Sequence, residues 1–355
     1  RLDALYQASG NWTELLGVLE REVELSGDPT EIASYKFRIA QLWHHKLDDA
    51  SRAVEMYREI LEVFPEHDPT IRALEEMVAA GKEPVPAALV LENIYREAGE
   101  WAKLIGVLEV QVENESDPLR RVELLHQIAE LYEFQLDAPT QAFHAHARAL
   151  PSDAQDELTL GSLERLADQL NGWPEVAKLY DAELEKLERY SPDAASEMAL
   201  RAAVIYEVHL GDPQQAIERY RFVVEADSSH PQALEALDRL YEATGRWEDL
   251  AEILRREIAN AANPEDALEL QFKLGQTLQH HRGDVEGAIA QYREILAAAP
   301  EHAKALQALE ALFAQGFHPT LIGEILEPLY RMQEAWDRLL QVLEVRLSHM
   351  EDREE

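Results

Sequence analysis

The sequence predicts an all-helical protein made of stacked antiparallel helix pairs, because two phrases alternate along the chain. The first phrase reads LENIYREAGEWAKLIGVLEVQ in one copy and LDRLYEATGRWEDLAEILRRE in another. It occurs five times, and its tryptophans are Trp12, Trp101, Trp173, Trp247 and Trp336. Successive tryptophans lie 89, 72, 74 and 89 residues apart. The shorter spacings correspond to two periods of about 36 residues, which is typical of helix-pair arrays.

The second phrase lies between the tryptophans and has small, aromatic and proline residues at fixed positions. One copy reads ASRAVEMYREILEVFP and another VEGAIAQYREILAAAP. A small side chain where two helices cross lets them approach closely, and the aromatic ring one turn later fills the space beside it. Proline then ends the helix, so that the chain can reverse. The positions are Ala53, Val54, Tyr57, Ile60, Leu61 and Pro65 in the first copy, and Ala288, Ile289, Tyr292, Ile295, Leu296 and Pro300 in the last.

This pattern resembles the tetratricopeptide repeat, in the degenerate form of a bacterial-type array with tryptophan-containing repeats. Two middle copies depart from it, since Ser228 stands where proline is expected and His146 occupies the aromatic position. The small residues of the preceding helix, helix A of each pair, are Ala40, Ala129, Ala203 and Gly275. The resemblance covers essentially the whole chain. It implies a right-handed α-solenoid, a superhelix of antiparallel helix pairs that binds other proteins.

Two interruptions are expected in this array. The 89-residue spacings are 17 residues longer than the 72-residue spacing, which is enough for one more helix in each. Gly81 and Gly316, each followed by a proline within three residues, end the helices concerned. We therefore predict roughly 20 helices in a single array over residues 1–355, with extra helices near 68–98 and 301–331. We also expect this array to be a piece of a longer one.

The composition excludes several classes of function. Thirty-three Lys and Arg against 69 Asp and Glu give a net charge of −36, which repels nucleic acid and anionic lipid and attracts basic protein surfaces. The chain contains no cysteine, so disulfides, thiolate metal sites and a cysteine nucleophile are excluded. No run of 18 apolar residues is present, which predicts no membrane insertion. The expected location is the cytoplasm.

Nothing in the sequence predicts catalysis, a cofactor, a metal site or a small-molecule substrate. Phosphate-binding glycine loops, nucleophile elbows and HExxH motifs are all missing. The pairs His44-His45 and His280-His281 are neighbours on a helix and point about 100° apart, so neither pair chelates a metal from one face. Because the five tryptophans recur at one repeat position, we expect each to pack between helices at its repeat boundary.

The resemblance implies that helix A lines the concave surface of the array, which carries the protein-binding residues. That lining is acidic with apolar patches, and Arg239 is nearly its only cation. Asn93 alone does not provide the Lys, Arg and Asn clamp with which some relatives hold a chaperone's terminal carboxylate. The expected partner is therefore a protein with a basic or amphipathic segment. The lining residues are Phe37, Gln41, His44, Asn93, Glu97, His126, Glu130, Glu133, Leu200, Val204, Glu207, Glu235, Arg239, Glu242, Phe272, Gln276 and Gln279.

Three hypotheses on function remain open at this stage: a scaffold or adaptor, a structural component, and a regulatory array. The acidity is equally compatible with a surface that only keeps a long array soluble. In that case the chain is a structural spacer or a self-assembling component of a motility, secretion or envelope complex. A weaker alternative is a regulatory array acting with a small GTPase or kinase. The leading hypothesis is a non-enzymatic interaction scaffold or adaptor.

Overall fold

A computed structural model describes the backbone of residues 2–351 and the side chains of residues 5–347. This part of the chain contains twenty α-helices and no strand, in agreement with the predicted fold class. The contacts divide the chain into two compact units, 1–176 and 177–355, with the division inside the eleventh helix. In both units each helix packs mainly on the helices next to it in sequence, as in an α-solenoid. The expected single array over 1–355 stays a prediction, and it extends at each end beyond the described residues.

The helices begin and end close to the residues that the phrases indicate. In the first unit they are α1 (Leu2–Ser9), α2 (Trp12–Leu25), α3 (Pro29–His45), α4 (Ala50–Val63), α5 (Asp68–Ala79), α6 (Pro84–Ala98), α7 (Trp101–Asn114), α8 (Pro118–Glu130), α9 (Pro139–Ala149) and α10 (Glu157–Leu170). The eleventh, α11 (Trp173–Tyr190), contains the division. In the second unit follow α12 (Pro192–Val204), α13 (Pro213–Ala226), α14 (Pro231–Thr244), α15 (Trp247–Asn260), α16 (Pro264–Thr277), α17 (Val285–Ala298), α18 (Ala303–Ala314), α19 (Pro319–Met332) and α20 (Trp336–Glu351).

The tryptophans start helices, as the first phrase indicates, and Trp12 and Trp247 pack against the neighbouring helix as expected. All five stand at the first position of a helix. Trp12, Trp101, Trp173 and Trp247 are half-buried, whereas Trp336 is 61% exposed. Each ring thus lies at the edge of a repeat and keeps part of its surface in solvent.

The small and aromatic positions pack as the second phrase predicts. Ala40 and Tyr57 are completely buried where α3 crosses α4, and Gly275 and Tyr292 are buried in the same way where α16 crosses α17. A Cβ atom at Gly275 would lie 2.5 Å from Cε1 of Tyr292. A small residue on helix A is therefore a condition for the close approach of the two helices.

The end of helix A has a feature that the sequence pattern did not indicate. In three repeats the last turn widens into a π-helical turn, over Leu131–Gln135, Ile205–Leu210 and Leu278–Arg282. Gly211 and Gly283, which directly follow the second and third turns, have left-handed backbones. After the first turn the left-handed residue is Asp137, which follows Leu136. Glycine adopts this conformation without strain, and Asp is among the residues that tolerate it. Helix B then starts after two further residues at the second and third of these turns and after three at the first.

Each of the two units contains one copy of the same arrangement of helices, and equivalent residues differ in number by 235. In the first unit Tyr95 donates a hydrogen bond to Glu75, and in the second Tyr330 donates one to Glu310. Both pairs stabilise the hairpin that contains the extra helix, formed by α5 and α6 in the first unit and by α18 and α19 in the second. The equivalent left-handed residues are Asp48 and Gly283, Gly81 and Gly316, and Glu83 and His318. Segment 12–113 therefore has a structural counterpart in 247–348, which allows matched comparisons within one chain.

Candidate functional site

The predicted lining residues all lie on helices or on the π-helical turns, but one of them is not accessible. His44 is only 5% exposed, and its ring stacks on that of His45 at 4.1 Å between centroids. Burial lowers the pKa of His44. The prediction that His44 contacts a partner is therefore corrected, because repeat packing covers its ring.

Three predicted carboxylates are engaged by cations from the following repeat. Two guanidinium groups hold the first two, with Arg165 at 2.6 Å from Glu133 and Arg239 at 2.6 Å from Glu207. The third, Glu242, lies 2.7 Å from Nζ of Lys273. The Arg165 side chain lowers the pKa of Glu133 through its hydrogen bonds. Arg239 is thus not the only cation on this surface, since Arg165 and Lys273 also neutralise carboxylates there.

Glu207, and Gln279 at the equivalent position of the last repeat, also contact the aromatic residue of helix B, 13 residues further on. The hydroxyl of Tyr220 donates to Glu207, and that of Tyr292 donates to Gln279, both at 2.9 Å. These side chains connect helix A to helix B within a repeat, so their hydrogen bonds stabilise the fold.

The other predicted residues divide into packed and exposed groups. The ring of Phe37 packs against those of Tyr57 and His67, and Phe272 repeats these contacts in the second unit. His126 lies 2.8 Å from the hydroxyl of Thr159. The half-buried residues include Leu200 and Val204, and the exposed residues are Gln41, Asn93, Glu97, Glu130, Glu235 and Gln276.

Two of the exposed residues, Asn93 and Glu97, line a groove of about 730 Å³ between α4, α6 and the start of α8. Sequence reasoning did not foresee the α4 wall. The floor is apolar and includes Val54, Leu61 and Leu89. Leu89 is 47% exposed, which leaves apolar surface open to solvent.

The rim of this groove is acidic. Its four carboxylates are those of Glu55, Glu62, Glu92 and Glu97, against the guanidinium groups of Arg58 and Arg120. Arg58 pairs with Glu55, and Arg120 pairs with Glu123 outside the groove at 2.6 Å. Glu62 and Glu97 form no ion pair in the part of the chain that the structure describes. The rim therefore retains negative charge that the chain itself does not neutralise.

The counterpart positions in the second unit keep one of the four rim carboxylates, Glu92 as Glu327, and part of the apolar floor, since Leu89 is replaced by Glu324. Val54 and Leu61 correspond to Ile289 and Leu296. The rim positions Glu55, Glu62 and Glu97 correspond to Ala290, Ala297 and Met332. This difference was visible in the sequence, but only the structure indicates which positions to compare.

Neither a metal centre nor a membrane span is found in the described residues. No three ligating side chains among residues 5–347 are placed to hold a metal ion. No described helix combines the length and the apolar character that crossing a bilayer requires.

The fold and these surfaces define a class, the α-solenoid scaffolds that bind other proteins. Two family models described as tetratricopeptide repeat match residues 1–33, 87–122 and 233–268, and residues 269–302. These four segments are similar to tetratricopeptide repeats, a fold that is generally non-catalytic and serves protein interaction. No curated protein matches the chain.

Several solved structures are similar to the chain. MamA is 18% identical over 53% of this chain and 94% of its own, with a TM-score of 0.27. PilF of Pseudomonas aeruginosa is 15% identical over 64% and 97%, with a TM-score of 0.30. The C-terminal part of a repeat-containing protein from Cytophaga hutchinsonii is 12% identical over 71% and 97%, with a TM-score of 0.32. Overlaps of this extent carry no information on partners.

Proposed function

We propose that this protein is a non-enzymatic interaction scaffold, and that the groove between α4 and α6 binds a basic amphipathic segment of a partner protein. The observation that carries the proposal is the combination of an apolar floor with Glu62 and Glu97, two rim carboxylates that have no ion pair within the described residues. Apolar side chains of the segment contact the floor, and its cations face the rim. The net charge of −36 attracts such a segment from solution.

Most of the lining residues expected from the sequence do not contribute to the proposed binding site. Glu133, Glu207 and Glu242 already pair with cations of the following repeat, so they offer little unpaired charge. Asn93 and Glu97 remain, together with residues of α4 that the sequence did not single out. The binding surface is thereby moved from a long acidic lining to one groove at the first extra hairpin.

The groove can be tested with a designed helical peptide of lysine and leucine, and with its lysine-to-glutamate counterpart. Replacing Glu55→Ala, Glu62→Ala and Glu97→Met gives the groove the rim residues of the second unit. Each exposed ion pair contributes about 0.5 kcal/mol, so we expect a roughly tenfold loss of affinity by calorimetry. The acidic peptide should not bind the wild-type chain.

Two controls separate the groove from the total charge. The variant Glu14→Ala, Glu20→Ala and Glu113→Ala removes the same charge from exposed positions of the same unit outside the groove, and it should keep the affinity. Equal weakening by both triple variants, or no binding of the basic peptide at all, would refute the groove. The latter result would favour the structural spacer.

A further inference from the structure

The rings of equivalent tryptophans are covered by a cation or an imidazole from the end of the next helix A. Nζ of Lys46 lies 5.3 Å from the centroid of the Trp12 ring. In the second unit the ring of His281 stacks on Trp247, with centroids 3.7 Å apart and planes at 14°. Lys46 and His281 both stand 34 residues after the tryptophan that they cover. At this position a side chain from the end of helix A covers the indole face, as a lysine over Trp12 and as an imidazole over Trp247.

At Trp101 this position is Gln135, and a pocket of about 290 Å³ opens beside the indole. The half-buried indole of Trp101 forms part of the pocket wall. Phe134, on the π-helical turn, also lines the pocket and is 69% exposed to solvent. Phe134 corresponds to His45 and to His280 in the other copies. The pocket thus has two aromatic side chains, and Gln135 stands where Lys46 covers Trp12 and His281 covers Trp247.

The charges around the pocket favour a cation. Glu130 lines it, is exposed, and forms no ion pair among the residues that the structure describes. Arg96 also lines it, but its guanidinium lies 2.8 Å from Glu92 and donates to Gln127 at 3.4 Å. The arginine charge is therefore offset by a carboxylate within the chain, while that of Glu130 is not. Aromatic faces beside an unpaired carboxylate are typical of sites for ammonium and guanidinium groups.

We propose that the pocket between Trp101 and Phe134 holds a lysine or arginine side chain of the partner protein. The nature of the partner rests on the proposed function, whereas the pocket is separate from the groove between α4 and α6. Adjacent residues of α6 line the two sites, since Arg96 belongs to the pocket and Glu97 to the groove. A basic segment bound in the groove thus has a second point of attachment at the other wall of α6.

The pocket can be tested with N-acetyl-lysine methylamide and its neutral analogue N-acetyl-norleucine methylamide, in the full chain labelled with ¹⁵N-tryptophan. Trp101→Phe assigns the indole signal. We expect the lysine probe to shift that signal with a dissociation constant on the order of 10 mM, and the norleucine probe to shift it at least threefold less. Phe134→Ala should abolish the shift, and Glu130→Gln should weaken binding about threefold.

Gln135→Lys provides a matched variant, because it places on Trp101 the cation that Lys46 places on Trp12. We expect this internal lysine to occupy the pocket and to reduce probe binding. Equal shifts by both probes, or lysine binding that Gln135→Lys and Phe134→Ala leave unchanged, would overturn the inference. The rim variant of the groove should not affect the probe, so failure of one site is distinguishable from failure of the other.

Discussion

The aromatic position of helix B, occupied by Tyr57, His146, Tyr220 and Tyr292, differs between repeats in how its polar atom is satisfied. Tyr220 and Tyr292 donate to the residue 13 positions earlier. The hydroxyl of Tyr57 and Nδ1 of His146 are buried and have no hydrogen-bond partner in the described structure. A buried polar atom without a partner opposes folding, whereas a bonded one is close to neutral or favourable. One repeat position therefore has opposite energetic effects in different copies.

Removing the hydroxyl group tests this contrast directly. Tyr57→Phe removes an unpaired buried hydroxyl, so we expect the free energy of unfolding to stay constant or to rise by about 1 kcal/mol. Tyr220→Phe breaks a bond to the carboxylate of Glu207 and should lower it by about 1–2 kcal/mol. Urea unfolding followed by circular dichroism measures both. Equal destabilisation by the two variants would contradict the contrast.

His146 predicts a dependence of stability on pH. Burial, followed by the charge of His126, lowers the pKa of His146 to about 4. Because the unfolded chain binds this proton near pH 6.5, stability is fully present above that pH and decreases as the pH falls toward 4. We expect a loss of about 2 kcal/mol at pH 5. His146→Tyr restores the residue of the other copies and should remove this part of the loss in urea unfolding at pH 7 and pH 5; an unchanged pH dependence would contradict it.

At the scale of elements, the junction between helices A and B is where the structure adds most to the sequence pattern. The tryptophans, the N-terminal prolines and the small and aromatic positions predict helix starts and crossings from local sequence. The pattern did not indicate the π-helical turns, although Leu131–Gln135 and Ile205–Leu210 both begin with an aliphatic residue, tyrosine and glutamate, which Leu278–Arg282 does not. Because the next helix starts after only two or three further residues, we attribute the widened turn to the packing of the helix pair.

Two glycines test this difference between junction and helix interior. Gly211 has φ of 63°, so Gly211→Ala places a Cβ in the left-handed region and should lower the free energy of unfolding by about 1 kcal/mol. Gly161 is exposed within α10 and has no atom within 4 Å of a built Cβ. Gly161→Ala should therefore raise that free energy by about 0.5–1 kcal/mol, because alanine is the better helix former. Thermal unfolding compares the two, and stabilisation by Gly211→Ala would contradict the assignment.

At the scale of the whole molecule, charge and duplication have separate consequences. The excess of acidic over basic residues produces self-repulsion in the folded chain. Ion pairs between successive repeats, such as those of Arg165 and Arg239, offset only part of it. The duplication with its 235-residue offset retains the core of segment 12–113 in segment 247–348 while the groove rim changes from Glu55, Glu62 and Glu97 to uncharged residues. Packing is thus repeated, whereas only Glu92 of the four rim carboxylates is kept, as Glu327.

The net charge predicts the effect of salt. Raising NaCl from 20 to roughly 300 mM shortens the Debye length from about 20 to about 6 Å, so distant carboxylates repel each other less. We expect the midpoint of thermal unfolding to rise by about 3 °C, since this repulsion exceeds the attraction lost from exposed pairs. Equimolar sucrose serves as the uncharged control. A midpoint that falls with NaCl would indicate that the inter-repeat ion pairs dominate.

The sequence by itself determined the fold class, the helix starts at the tryptophans, the nesting of small against aromatic residues and the acidic character. These depend on local spacing and composition, which a linear pattern contains. Only the tertiary structure decided that His44 is buried, that Glu133, Glu207 and Glu242 are already paired, and that α4 forms a wall opposite Asn93 and Glu97. Whether a charged side chain is available to a partner depends on which groups the neighbouring repeats bring within a few ångströms of it, and the local pattern does not specify those contacts.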